Sequence, residues 1–123
     1  MHIDQLRDYC LSKKGVTEAF PFDEVTLVFK VMNKMFCLAG LDKWEKGEKT
    51  INLKCDPEKA IELREQYEGT VVGGYHSNKK HWNTVYTDRD LSQKELTHWI
   101  DHSYDLVVSK LTRKDQEFLN THF

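Results

Sequence analysis

The stretch His76-Ser77-Asn78-Lys79-Lys80-His81-Trp82 places two lysines, two imidazoles, a hydroxyl and an amide within seven residues, and no carboxylate. Cationic and polar donors at that density neutralise phosphate groups, while Trp82 or Tyr75 offers a ring face on which a base can stack. The preceding Gly73-Gly74 lets a backbone approach a ligand closely. His76, Asn78, Lys79, Lys80, His81 and Trp82 are therefore the nucleic-acid or anion-binding candidates. The competing reading is a solvated loop that leads into a strand, with Trp82 buried and the lysines in water.

Other charged groups are weaker candidates. Lys34, beside Lys30 at a tight turn, could assist in holding a phosphate backbone. Lys43, Lys46 and Lys49 are interleaved with Asp42, Glu45 and Glu48, which reads as a self-compensated surface. Trp44 in that polar segment is either an anchor for a protein partner or a side chain folded back on the sheet. His98 and His102 are one helical turn apart, but Asp101 and Asp105 point to other faces, so no metal site is expected. Asp88 and Asp90 flank Arg89, an arrangement that favours charge pairing over acid–base work. Ser103 reads as a small residue that lets a helix approach the sheet, and Tyr104 as a phenol with a buried partner. No histidine lies near Cys37 or Cys55 in sequence, and the glycine pair lacks the spacing of a phosphate-binding loop. No catalytic constellation emerges, so the expectation is a protein that is not an enzyme and uses no cofactor.

The whole-chain balance narrows the classes further. The 123 residues fit one domain, 1–123, with 39% hydrophobic and 31% charged residues, as in a soluble globular chain. The net charge of −2 means that affinity for phosphate has to come from a local patch. Three separated cysteines without a CxxC pair read as reduced core thiols, and no apolar run approaches a membrane span. The N-terminus lacks the pattern of a signal peptide, so a cytoplasmic protein without membrane partners is expected.

The elements that must position these groups follow from periodicity and caps. A first helix is expected over about Ile3–Lys14, stopped by Gly15. Val16–Asp23 reads as a connection in which Phe20 and Phe22, flanking Pro21, pin the loop to the core. Val25, Leu27, Phe29 and Val31 alternate with Thr26, Val28 and Lys30 in a strand, and a turn at Asn33-Lys34 leads to a return strand over Met35–Leu41. Asp42–Lys49 reads as a protruding hairpin loop before a third strand, Thr50–Cys55. Asp56-Pro57 starts a second helix ending near Tyr67, and Thr70-Val71-Val72 and Trp82–Thr87 give two more strands. Ser92 and Glu95 have capping-box spacing, and Leu96, Trp99, Ile100, Ser103, Val107 and Leu111 form the stripe of a long last helix. Thr112 and Asp115 could cap a short final helix. The order α-β-β-β-α-β-β-α gives an α+β, two-layer fold: an antiparallel sheet with helices packed on one face.

Several blocks in this order resemble the bacterial MmcQ/YjbR family. They are Phe20-Pro21-Phe22-Asp23, Lys34-Met35-Phe36, Leu53-Lys54-Cys55-Asp56-Pro57-Glu58, Gly74-Tyr75-His76, Asn78–Val85, and Ser103–Val108 with Lys110-Leu111. Together they span about residues 3 to 111. Asn33 stands where relatives commonly have glycine, which keeps the turn but makes its tip bulkier. The resemblance implies a fold like that of secretion chaperones and the family's label of a double-wing DNA-binding domain. The expected function is thus a non-enzymatic DNA-binding module. The alternatives are a protein-interaction or chaperone-like adaptor, and a small-anion or nucleotide pocket under the 73–82 loop.

Overall fold

The structure, a computed structural model, describes residues 1–74 and 78–123. Tyr75, His76 and Ser77 lie outside the described residues. The chain runs α1 (Ile3–Leu11), β1 (Val16–Ala19), β2 (Thr26–Val31), β3 (Lys34–Gly40), α2 (Leu41–Glu45), β4 (Thr50–Lys54), α3 (Pro57–Gln66), β5 (Val71–Gly73), β6 (Trp82–Tyr86), α4 (Gln93–Ser109) and α5 (Arg113–His122). The strands form one antiparallel sheet in the order β1-β2-β3-β4-β6-β5. The α+β class and the antiparallel sheet are as the sequence implies. No helix among the described residues is long and apolar enough to cross a membrane.

Local chemistry sets the boundaries. The Asp56 carboxylate accepts the Glu58 amide with Pro57 at the first helical position of α3, and Ser92 and Glu95 form the reciprocal box that opens α4. Gly15 takes a positive φ of 71° just after α1. The β2–β3 turn is Met32-Asn33, both residues left-handed at φ 48° and 64°. Asparagine tolerates that geometry far better than methionine does, so Asn33 anchors the turn.

Two segments depart from the sequence reading. Val16–Ala19, expected as a connection, is an edge strand paired with β2, with Val16 opposite Val31 and Ala19 opposite Val28. Only four residues long, it is too short for alternation to show in sequence. The 42–49 segment begins as α2 rather than as an extended hairpin loop. Trp44 on α2 is buried, at 8% exposure, and its Nε1–H donates to the Thr50 carbonyl at 2.8 Å. Folding the indole inward satisfies its one donor and removes its ring from water, so Trp44 is no surface anchor.

The core lies between the sheet and the helices. Leu27, Phe29 and Val31 of β2, Cys37 and Ala39 of β3, Ile51 and Leu53 of β4, and Val71 and Val85 meet Leu6, Cys10, Ala60, Leu63, Leu96, Ile100 and Val107 there. The β2–β3 register shifts after Phe29: Cys37 faces Phe29 but Met35 faces Lys30, which leaves Phe36 as the extra residue of a bulge. The bulge turns Phe36 into the core, fully buried, and leaves Met35 with Lys30 on the other face.

The Phe36 carbonyl, displaced from the ladder, is recovered by a helix side chain. Ser103 on α4, fully buried, donates to it at 2.5 Å and accepts the Lys54 amide of β4 at 2.9 Å. One hydroxyl thus bridges β3 and β4 beyond the last residues that pair directly, Cys37 and Leu53. The helix is held from its other side as well. Tyr9 on α1 donates to Asp101, Lys13 pairs with Asp101 at 2.5 Å, and the half-buried Tyr104 donates to the Lys14 carbonyl.

Candidate functional site

The face of the sheet turned away from the core is built by strand alternation. Asn83 reaches the Ala60 carbonyl of α3 and Val85 sits in the core, so Trp82, Thr84 and Tyr86 face the opposite way. Their register partners on β4 are Lys54, Asn52 and Thr50, which share that face. Leu38 pairs with Asn52 and joins them. Lys54 therefore stands directly across from Trp82, and Asn52 across from Thr84.

Two hollows open along this face and share Trp82 and Met35. The first lies where the sheet meets the end of α4. It holds about 430 Å³ and is lined by Lys34, Met35, Lys54, Trp82, Val107, Lys110 and Leu111. Three ammonium groups, one indole and no carboxylate make up its charged and aromatic rim. The ion pairs Arg7–Glu18, Lys13–Asp101 and Arg113–Glu117 involve none of these lysines.

The second hollow is a groove of about 530 Å³ that continues from Trp82 over the middle of the face, past Met35, Leu38, Asn52 and Thr50, to Phe22, Asp23, Asp42 and Lys43. The Thr84 hydroxyl donates to Asn52 Oδ1 at 2.6 Å, which fixes the amide. At the far end Asp23 accepts the amides of Val25 and Thr26 and the Thr26 hydroxyl. Those backbone donors hold its carboxyl below the usual carboxylate range. Phe20 and Phe22 do not pin their loop to the core: they are 47% and 63% exposed, with Phe22 on the groove's rim. Asp23, tied to the start of β2, holds the loop instead.

The structure divides the residues singled out from the 76–82 stretch. Trp82 and Lys34 share the lysine-lined hollow. Lys79 is not part of it. Gly73 pairs with Asn83 on the core side of the sheet, and a Cβ there would meet Lys79 Cγ at 3.3 Å and Arg64 Nη1 at 3.0 Å. The Lys79 stem thus crosses the helical side of the sheet edge, with its carbonyl accepting from Arg64 Nη2 at 3.2 Å. Asn78 serves a turn: its side chain accepts the Lys80 amide and its carbonyl accepts the amides of His81 and Trp82. Lys80 is exposed, and half-buried His81 receives the Cys55 amide on its carbonyl. His76 lies outside the described residues.

Lys54 and Lys110 complete the hollow although neither stood out as a site in sequence. The signal for Lys54 was present only as a pairing: it sits two residues before the α3 cap, as Trp82 begins the strand that turns out to be its neighbour. Lys110 follows the last buried turn of α4, where its position depends on how the helix crosses the sheet.

The thiols and the half-buried His102 are committed to the fold. All three cysteines are buried free thiols. Contact with Cys10, then burial, drives the Cys37 thiol well above its ordinary value, and burial lifts Cys55 to about 11, so both stay protonated. His102 accepts the Asp56 amide through Nε2 at 3.2 Å, and burial followed by Lys59 lowers its pKa. Its lone pair is thereby committed to the backbone ahead of α3. Among the described residues, no three of His, Cys, Asp and Glu gather as metal ligands. Arg89 lies over the Tyr86 ring at 3.6 Å and donates to the Gly69 carbonyl, in place of the expected pairing with Asp88 and Asp90.

The fold and sequence have close counterparts. The sequence model of the YjbR family matches residues 11–106. The chain is 31% identical to the protein YjbR of Escherichia coli K12 over 119 residues, 97% of this chain and 98% of that one. It is 39% identical to YbdF of Escherichia coli O157:H7 over 98 residues, 80% and 77% of the two chains. The crystal structure of Deinococcus radiodurans protein DR2400, a DUF419 domain, superposes with a TM-score of 0.87 at 36% identity, covering 96% of this chain and 87% of that one. A Pseudomonas syringae crystal structure gives a TM-score of 0.72 at 27% identity, covering 86% and 98%. The chain belongs to the YjbR family.

Proposed function

We propose that this domain binds the phosphate backbone of nucleic acid, as a non-enzymatic module, through Lys34, Lys54 and Lys110 around Trp82. One observation carries the reading: three lysines from β3, β4 and the end of α4 rim a single hollow with no acid in its lining. Within a chain of net charge −2, such segregation concentrates positive potential where a polyanion can exploit it. The indole adds a stacking surface, which needs no particular base sequence. Buried, protonated thiols and a committed His102 favour binding over catalysis.

The test is fluorescence anisotropy with labelled DNA across a series of salt concentrations. Replacing Lys34, Lys54 and Lys110 together with alanine should weaken binding at low salt by roughly tenfold or more, and should flatten the slope of log K against log salt by about 2–3. Unchanged affinity and slope in a triple variant that still melts cooperatively would overturn the reading.

A further inference from the structure

We propose that the nucleic acid held here is single-stranded, with one unpaired base lodged in the groove beyond Trp82 and Asn52 as the side chain that reads it. This rests on the phosphate-binding reading above and extends it from the lysine hollow to the neighbouring groove.

The two hollows form one path, because Trp82 and Met35 line both. Lys54 and Asn52 are two residues apart on β4 and point to the same face, a step of about 7 Å along an extended strand. A phosphate at Lys54 and its base over Asn52 would lie at such a spacing. The charges give the path a direction. Three lysines without an acid stand at the Trp82 end, while at the opposite end two carboxylates, Asp23 and Asp42, outnumber the one cation, Lys43, and disfavour a second phosphate there.

The groove is suited to a flat ring. Trp82 stands at one end and Phe22, 63% exposed, at the other, over a floor that includes Met35 and Leu38. A base within a duplex has both faces stacked and its pairing edge occupied, so only an unpaired base can use such walls and such a floor. The groove's volume of about 530 Å³ lies in the range of small-molecule sites.

Asn52 gives the groove its selectivity. Its oxygen accepts the Thr84 hydroxyl, so the end of the amide left to a ligand is the NH₂ group, a donor. Among the described residues that nitrogen has no hydrogen-bond partner. A donor-only reader favours base edges rich in acceptors. Thymine presents carbonyl oxygens, whereas adenine presents an amino group beside its ring nitrogens. Oligothymidylate should therefore bind more tightly than oligodeoxyadenylate.

Anisotropy with labelled oligothymidylate, oligodeoxyadenylate and a duplex of equal length tests this, at one salt concentration, with the full chain and its Asn52→Leu, Phe22→Ala and triple-lysine variants. The expected order is oligothymidylate first. Asn52→Leu should reduce its affinity by about fivefold or more, the low end for one good base contact. The same change should leave duplex binding unaltered, and Phe22→Ala should weaken both single strands. If duplex binds as well as oligothymidylate, and only the triple-lysine variant loses affinity, the single-strand inference falls while the phosphate reading stands. Wild-type affinity for oligothymidylate in both Asn52→Leu and Phe22→Ala overturns the inference as well. If no oligonucleotide binds, both readings fall together.

Discussion

On the helical side of the sheet, Phe29, Val31, Cys37 and Ile51 are sealed beneath α1 and α4, and the polar intruder Ser103 has two protein partners. On the opposite side the same strands present Met35, Leu38, Asn52, Lys54, Trp82 and Thr84, which line open hollows. Most polar groups of the first face are spent within the molecule: the Asn83 amide donates to the Ala60 carbonyl, although its Oδ1 is buried without a hydrogen-bond partner among the described residues. Those of the second are only partly spent: the Asn52 oxygen accepts from Thr84, while its NH₂ has no hydrogen-bond partner among the described residues. Burial with nearly complete internal pairing marks a face that serves the fold, whereas exposed groups left with spare capacity mark a face that serves something else.

That contrast implies that tryptophans on the two sides should behave oppositely, and the largest effect belongs to the core. Trp44→Ala removes a buried ring and its bond to the Thr50 carbonyl. It should cost about 3–5 kcal/mol, read as a lower midpoint in urea unfolding. Trp44→Phe should cost only about 1–2 kcal/mol, because it keeps most of the ring and loses the donor. A Trp44→Ala protein as stable as the parent would place the indole in solvent and erase the distinction.

Next in size is Ser103, whose hydroxyl extends the join of β3 and β4 beyond their direct pairing. Ser103→Ala leaves the Phe36 carbonyl and the Lys54 amide without their partner in a buried setting, at a cost of about 2–3 kcal/mol. The loss should also loosen Lys54, since its own amide is one of the two bonds. Amide hydrogen exchange at Lys54 should therefore accelerate more than exchange at Ile51 within the same strand. Equal acceleration along β4 would mean that the helix contact, not the hydroxyl, sets the strand's position.

The helical side was largely readable from residue order, and the open side was not, for a physical reason. A buried stripe repeats locally: Leu96, Ile100, Ser103 and Val107 recur at helical spacing, and a cap such as Asp56-Pro57 acts within one turn. The lysine hollow is a product of register. Lys34, Lys54, Trp82 and Lys110 come from four elements, and their meeting depends on which strand follows β4 across the sheet. A continuous run of donors in sequence, Lys79 to Trp82, was the more visible signal, yet alternation and the chain's turn at Asn78 send Lys79 and Trp82 to different sides. The bulge that sends Phe36 inward and Met35 outward leaves no signature in the Lys-Met-Phe triplet itself. Trp44 shows the reverse failure. Its polar neighbours Lys43, Glu45 and Lys46 concealed a core residue on a one-turn helix.

On the open face, Trp82→Ala should cost less stability than Trp44→Ala, about 1–2 kcal/mol, because the side chain is half-buried beside an open hollow and Lys54 stands across from it on the neighbouring strand. Binding should respond more than folding does. Loss of the indole should weaken oligonucleotide binding severalfold, by removing the ring common to both hollows. The pair Trp44→Ala and Trp82→Ala thus separates the faces in two assays. A large drop in melting temperature for Trp82→Ala would show that the open face also holds the sheet together.

The smallest effect is a pH dependence rooted on the helical side. His102 accepts the Asp56 amide, and burial with Lys59 nearby lowers its pKa, against weaker opposing pulls from Asp56 and Asp105. The folded form therefore takes up its proton at a lower pH than the unfolded chain, whose histidine titrates near 6.5. Above that value both forms are neutral and the bond is intact. As pH falls below it, the unfolded chain binds the proton first, so stability must decline on acidification. Urea midpoints at neutral and mildly acidic pH should show that decline, and His102→Gln should reduce its slope while keeping an acceptor for the Asp56 amide. An identical slope in the variant would assign the acid sensitivity in this range to a group other than His102, and Glu95 is not that group. That carboxyl is held below its usual range by Tyr67 and by the Ser92 cap, and it loses those bonds only at a more acidic pH.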